Sequence, residues 1–430
     1  MPIDKLTVTN FKGIAEKTEF KIKPITLFIG PNSSGKSSCI HALAALAQTV
    51  KIANSKLPIV LDDEYAQVHL GRFIEVIHSK SYSDAIEIGV SLNKSGVSVQ
   101  YSDDKEIISA NDEVHAIYSF KSTKRTQDIS MEKADYTVGT KNLVFRKSES
   151  NYTIRLDSKL IIPKAIHQSG LKLSFSPINP KLSSAKEAKE DREEVFNAYI
   201  LNESITDIIT SQLRKTLYLG PFRQPPRRRY PTRGSAPLEV GAEGESAVTL
   251  LANEYVQSKV RTHIKEISSW MAELGLAKKV DVSRVGKSDL FDVQVTLNDG
   301  ASLPIADLGY GLSQILPVLV QCSFAEDGSI LLFEQPELHL HHLAAGKLAT
   351  VLAKIAKQKN LRIVSETHSE DLFKQILIEL NSKKINPEDV VAYEVARIDG
   401  KSIFKEIIIN QDENGKFECE SPWTKGISGS

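Results

Sequence analysis

The stretch GPNSSGKSS, residues 30–38, follows directly on the apolar run Ile25, Thr26, Leu27, Phe28, Ile29. Its spacing fits G-x-x-x-x-G-K-[ST], with Gly30, Gly35, Lys36 and Ser37 in the fixed places and Asn32, Ser33, Ser34 and Ser38 completing the turn. Glycines let the backbone turn with positive φ, so several N–H groups converge on one point, and a following helix adds the positive end of its dipole. Such a nest suits a triphosphate. The Lys36 ammonium is expected at the β- and γ-phosphates, and the Ser37 hydroxyl on an octahedral Mg²⁺. The context agrees: a short apolar strand precedes the loop, and Cys39, Ile40, Ala42, Leu43, Ala44, Leu46 and Ala47 read as a buried helix after it.

The composition sets wider bounds. With 430 residues, the chain suggests two or three structural units. A hydrophobic content of 41% and a charged content of 25% are ordinary for a soluble globular protein. Lys plus Arg equals Asp plus Glu, 54 each, so any attraction to nucleic acid must come from a local patch. Cys39, Cys322 and Cys419 lie far apart without C-x-x-C spacing, which argues against a zinc site or a disulfide framework and fits a reducing cytosol. No apolar run approaches the roughly 20 residues needed to span a bilayer, so a cytoplasmic chain without a membrane partner is expected.

The remaining chemistry comes late in the chain. In GSILLFEQPELHLHH, residues 328–342, a buried strand of Ile330, Leu331, Leu332 and Phe333 ends in Glu334, where a carboxylate can hold Mg²⁺ across from Ser37. Before it, DLGYGLSQILPVLVQ, residues 307–321, sets Gly309 and Gly311 ahead of an apolar helix, a second loop-to-helix anion site. After it, a strand over 361–364 leads to ETHSE and puts His368 at a strand end. Elsewhere, Leu6, Val8, Phe11 and Ile14, followed by Phe20, Ile22 and Ile25, read as an antiparallel pair leading into the central strand, Ile74, Val76 and Ile77 as a further strand, and residues 245–276 as helical. The charged run SSAKEAKEDREEVFNAYI, residues 183–200, reads as a helix with a solvated face.

Taken in order, these parts resemble the ATP-binding-cassette ATPases of the chromosome-maintenance and recombination type. In detail the chain resembles the overcoming-lysogenization-defect-like ATPases, including the ATPase subunits of Septu-like and PARIS-like anti-phage systems. The resemblance rests on NFKGI (10–14), GPNSSGKSS, YLGPFRQPPRR (218–228), GAEGES (241–246), LGYGLSQILP, EQPELHLH and ETHSE. It implies an α/β ATPase head with a mixed central sheet flanked by helices, an antiparallel N-terminal β-subdomain and an inserted β and helical arm. The division implied is an N-terminal lobe over 1–90, an insert over 91–215 and a C-terminal lobe over 216–430. ATP and Mg²⁺ are the implied cofactors.

Residue by residue, the resemblance puts Asn10, Phe11 and Lys12 at the nucleotide's base and ribose side. It puts Gly309 and Gly311 in the signature loop that a second copy presses onto the γ-phosphate, and makes His368 the switch histidine. Gln67 is the implied loop glutamine near Mg²⁺, with Gln48 as its competitor. Two departures stand out. Gly309 occupies the place of the signature serine, removing one hydroxyl contact. Gln335 follows Glu334 where many relatives carry a catalytic glutamate, and an amide can orient the attacking water but cannot take its proton. Hydrolysis is therefore expected to be slow, or to use Glu337 or Glu366.

The resemblance implies a head-to-head homo-oligomer controlling a separate effector, with a nuclease as the expected kind, in anti-phage defence. An ATP-gated scaffold with little hydrolysis is the alternative, and a transporter's nucleotide-binding subunit the remote one. After His368 there is no D-x-D pair, so a Toprim nuclease within this chain is not expected. The run His339, His341 and His342 behind Glu337 could ligate a metal, but it also belongs to the resembled pattern, and shaping a loop between facing heads is the expected role. Arg223, Arg227, Arg228, Arg229 and Arg233 crowd a proline-rich segment. Arg223 is expected to face the ATP site or the dimer interface. The others leave DNA or RNA contact and plain solvation open.

Overall fold

The computed structural model describes residues 2–52, 57–102, 105–148, 151–161, 166–175, 187–232, 237–411 and 416–419. Two compact units emerge, one drawn from Met1–Ile22, His41–Thr216 and Arg397–Ser402, the other from Lys23–Ile40, Leu217–Ala396 and Ile403–Ser430. Along the chain one unit gives way to the other between Thr216 and Leu217. Position 90 instead falls inside a strand, Ile86–Leu92, of a continuous sheet.

In the first unit an eight-stranded sheet runs in the order Lys159–Ile161, Asn151–Leu156, Lys141–Ser148, Ile129–Val138, Val114–Ser122, Ile86–Leu92, Lys5–Thr9, Thr18–Lys21. Each neighbouring pair is antiparallel. The alternation read at the N-terminus holds, with Leu6 opposite Phe20 and both fully buried. Tyr118, Tyr136 and Phe145 form a run of edge-packed rings on the buried face, with centroids about 6 Å apart. The long helix Glu187–Arg214 buries Val195, Ala198, Leu201, Ile205, Ile209 and Leu213, spaced three or four apart. Of the charged run, residues 183–186 lie outside the described residues. The strand expected at Ile74–Ile77 is instead a single helical turn, Phe73–Val76. So short an apolar run carries no period that separates the two states.

The second unit is built on a six-stranded sheet, ordered Thr216–Leu219, Ile330–Glu334, Arg362–Thr367, Ile25–Ile29, Val390–Ile398, Lys401–Glu406. Its four central strands are parallel. All five residues of Ile25–Ile29 and all five of Ile330–Glu334 are buried, the signature of strands covered on both faces. Helix His342–Gln358 crosses from the second strand to the third, and Glu370–Asn381 from the third on to Val390. The helical stretch over 245–276 splits into Ala247–Gln257 and Thr262–Glu273, because Ser258 is extended and Arg261 left-handed. Register pairs Glu334 with Glu366 and Thr367 with Ile29, so three parallel strands end level. Ligands of such sheets sit just beyond these carboxyl ends. The α/β class expected from the sequence is the one the chain adopts.

Candidate functional site

The loop 30–36 closes on itself in a way that demands its glycines. Gly35 has φ +98°, and a Cβ on Gly30 would stand 2.2 Å from the carbonyl oxygen of Val395 on the adjacent strand. Gly30→Ala is therefore expected to cost about 1–3 kcal/mol of folding stability by overpacking, visible as a lower denaturant midpoint with an unchanged slope. The helix Ser37–Lys51 starts at the loop's last fixed residue. Ser34 Oγ is buried with no hydrogen-bond partner among the described residues. An orphaned hydroxyl inside a nest of backbone donors fits a phosphate oxygen.

Lys36 is only 4% exposed, and its ammonium donates to the carbonyls of Gly30 (3.1 Å) and Pro31 (2.9 Å). Burial lowers its pKa, while the charges of Glu366, Glu337 and Glu334 oppose that shift. Two strand-end carboxylates, Glu334 and Glu366, and Glu337 from the turn that follows the first thus act electrostatically on one ammonium. The hydroxyl of Ser37 donates to Glu366 Oε2 at 2.6 Å. Glu334, expected across from Ser37, instead accepts from the Tyr218 hydroxyl at 2.7 Å. Glu366 is pushed up to about 7, first by burial and then by the neighbouring charge of Glu334. Two adjacent carboxylates with a serine hydroxyl form the hard oxygen set that Mg²⁺ takes. A divalent cation there would relieve their mutual repulsion.

His368 is fixed by its contacts. Its Nδ1 lies 2.8 Å from the Gly30 carbonyl, which can only accept, so Nδ1 carries the proton and donates. The Lys36 ammonium, 3.4 Å from the same nitrogen, therefore meets no lone pair there. Burial and the Lys36 charge lower the His368 pKa, favouring the neutral ring with Nε2 as its remaining acceptor. Glu337 turns inward, where Oε1 accepts from the Thr367 hydroxyl and from the His368 backbone N–H. Burial raises its pKa. Among the described residues no group of three or more His, Cys, Asp and Glu is set to hold a metal.

Gln335 continues from Glu334 in the left-handed region, φ +47°, its N–H donating to the Glu366 carbonyl at 3.0 Å. Arg223, 6% exposed, donates to the carbonyls of Glu334 (3.0 Å), Gln335 (3.1 Å) and Gln314 (3.3 Å). The rest of the arginine cluster separates from Arg223. Arg228 pairs with Asp307 through two bonds, Arg227 and Arg229 are exposed, and Arg233 lies outside the described residues.

Gly309 caps the helix Tyr310–Phe324 with open space where a Cβ would stand, whereas a Cβ on Gly311 would stand 2.7 Å from the His339 carbonyl oxygen. The nearby Tyr310 and Leu343 are 61% and 68% exposed. Lys12 and Gln67 belong to the other compact unit. There the Lys12 ammonium meets His41 Nδ1 at 2.5 Å. Phe11, expected at a nucleotide base, is fully buried and bridges Ile14 and Ile77, so it offers no face to a base. Gln48, the competitor of Gln67, is 1% exposed and saturated: its amide nitrogen donates to Val60 and Val68, and its oxygen accepts from Gln67 and Val68. It has no lone pair left for a metal.

Sequence reasoning gave Tyr218 no role and Glu366 only a substitute's. One signal was available for Glu366: the apolar runs ILLF and RIV are each followed within two residues by a glutamate, Glu334 and Glu366.

Residues 1–373 match the family model described as AAA ATPase domain. No curated protein matches the chain. Among solved structures, an SMC head bound to the C-winged helix domain of ScpA is similar at 12% identity over 94% of this chain and 97% of that one, with a TM-score of 0.48. The SMC head domain from Thermotoga maritima is similar at 10% identity over 95% and 100%, TM-score 0.41. An SMC head with an extended coiled coil bound to the C-terminal domain of ScpA, derived from Pyrococcus furiosus, is similar at 10% identity over 94% and 96%, TM-score 0.46.

Proposed function

The chain belongs to the AAA ATPase domain family, and from that premise we propose that it binds Mg·ATP at residues 30–37 and hydrolyses it slowly. The observation that carries this is the convergence of Lys36, Ser37, Glu334, Glu366 and His368 at level strand ends of one sheet. Lys36 would leave the carbonyls of Gly30 and Pro31 for the β- and γ-phosphates, and Ser34 and the loop N–H groups would receive phosphate oxygens. Ser37, Glu366 and Glu334 would hold Mg²⁺, which when bound neutralises charge that develops on the phosphates. His368, neutral and anchored through Nδ1, would offer Nε2 toward the γ-phosphate side. Gln335 would orient the attacking water.

We further propose that two copies close on ATP, the exposed helix start at Gly309 and Gly311 of one copy covering the loop of the other. ATP then shifts an equilibrium between open and closed pairs by its differential affinity for them. The resemblance to anti-phage ATPases supports a cytoplasmic role in controlling a separate effector, a nuclease being the kind expected. Direct contact with DNA or RNA through the exposed arginines of the proline-rich segment is part of the same proposal. Purifying the chain with ATP and determining the assembly's mass and co-purifying protein tests it. A monomer with and without ATP would contradict the pairing.

A second reading, an ATP-gated scaffold with little turnover, is favoured by Gln335 alone. Gln335→Glu separates the two. Turnover is expected to rise at least about tenfold with nucleotide affinity little changed, since a carboxylate supplies the missing proton acceptor. No rise would detach position 335 from the attacked phosphate.

A further inference from the structure

Arg223 is placed expensively. A guanidinium at 6% exposure has no carboxylate within ion-pair distance among the described residues, and its Nε is buried without a hydrogen-bond partner. Its charge is met by three backbone carbonyls, aided at longer range by Glu337, and burial lowers its pKa only to about 10, so it stays protonated. Buried cations without close partners are costly, and even buried ion pairs can often be replaced by apolar residues of similar volume without loss of stability. A packing role alone does not account for this one.

The three carbonyls do not belong to one element. Two are consecutive, those of Glu334 and Gln335, at the point where the chain leaves its strand in a left-handed conformation that a glutamine adopts only under constraint. The third is Gln314, in the first turns of the helix Tyr310–Phe324, whose start carries Gly309 and Gly311. The arginine's own backbone is held in turn, because Gly220 N–H donates to Ala242 and Gln224 N–H to Glu243. A rigid, planar donor fork is therefore anchored at its base and spread across a strand end and a helix start.

We infer that Arg223 is a positioning residue for the nucleotide reaction: it holds the backbone of Gln335 in its left-handed conformation and couples that strand end to the helix beginning at Gly309. This rests on the ATPase reading above. It adds a direction of control, because any shift of that helix when a second copy closes on it reaches Gln335 through one side chain. Lysine cannot substitute, since a single ammonium cannot span three carbonyls in fork geometry.

The test uses the full chain with ATP and, for binding without turnover, a non-hydrolysable ATP analogue. Arg223→Lys is expected to lower kcat at least about tenfold while the analogue's Kd stays within about threefold and thermal unfolding stays cooperative. Exposed Lys287→Gln, as control, changes neither quantity. A cycle with Gln335→Gly supplies the readout that a merely structural residue would not move. Glycine takes positive φ without help, so the double variant should lose no more kcat than the worse single one. Multiplying losses, a kcat loss matched by an equal affinity loss, wild-type kcat in Arg223→Lys, or an unfolded Arg223→Lys would each overturn the inference. A wild-type chain that binds the analogue but never turns over would overturn it too, leaving no reaction to position. A wild-type chain that binds no nucleotide would instead end the ATPase reading itself.

Discussion

Lys36→Ala is expected to weaken ATP binding at least about 100-fold, to the point where equilibrium titration at ordinary concentrations detects none. Charge-assisted hydrogen bonds contribute roughly 1.5–3 kcal/mol each, and this ammonium has two phosphates to serve. At about 1.4 kcal/mol per tenfold, losing two such bonds accounts for the change. The electrostatics sharpen it, because Lys36 is the ammonium that the charges of Glu366, Glu337 and Glu334 act on, and without it only the divalent cation would stand between them and the incoming polyanion. The fold itself should survive, since the strand feeding the loop is held by parallel neighbours on both sides. Unchanged nucleotide affinity in a folded Lys36→Ala chain would remove the phosphate-binding role of the loop.

Glu366→Gln is expected to separate stability from activity. The raised pKa of Glu366 means that its ionised form is disfavoured in the folded chain, so its contribution to stability is present below the unfolded value near 4.5 and is lost as pH rises toward about 7. Replacing the carboxylate by an amide keeps an acceptor for the Ser37 hydroxyl and removes the repulsion with Glu334. The empty variant should therefore be more stable than wild type at pH 8, on the order of 2 kcal/mol, with the difference shrinking toward pH 5. Its turnover with Mg·ATP should fall on the order of 100-fold, because one charge of the cation's oxygen set is gone. Denaturant midpoints across pH and a Mg²⁺ titration of kcat check both halves. Lower stability at pH 8 together with unchanged Mg²⁺ dependence would return the acid facing Ser37 to a purely structural contact.

Much of this site was legible in the chain because its chemistry is local. The phosphate loop, its strand and its helix are contiguous, and backbone requirements such as the close approach of Gly30 to Val395 leave glycines that can be read directly. Strand ends at Glu334 and His368 followed from short apolar runs. What was not legible depends on register and on side-chain direction. Glu334 and Glu366 lie side by side only because two parallel strands pair without offset. Which of them takes the Ser37 hydroxyl is decided by Tyr218, from a strand more than 100 positions earlier, capturing the other. Phe11 and Gln48 failed as ligand candidates for one reason: both residue types serve equally well inside a core, and burial is a property of the assembled fold.

The structure of the chain with Mg²⁺ and a non-hydrolysable ATP analogue tests the central claim most directly. The β- and γ-phosphates are expected inside the loop, with the Lys36 ammonium moved from the carbonyls of Gly30 and Pro31 onto phosphate oxygens and the cation between Ser37 and Glu366. A nucleotide bound elsewhere, with Lys36 still tethered to those two carbonyls, would contradict it.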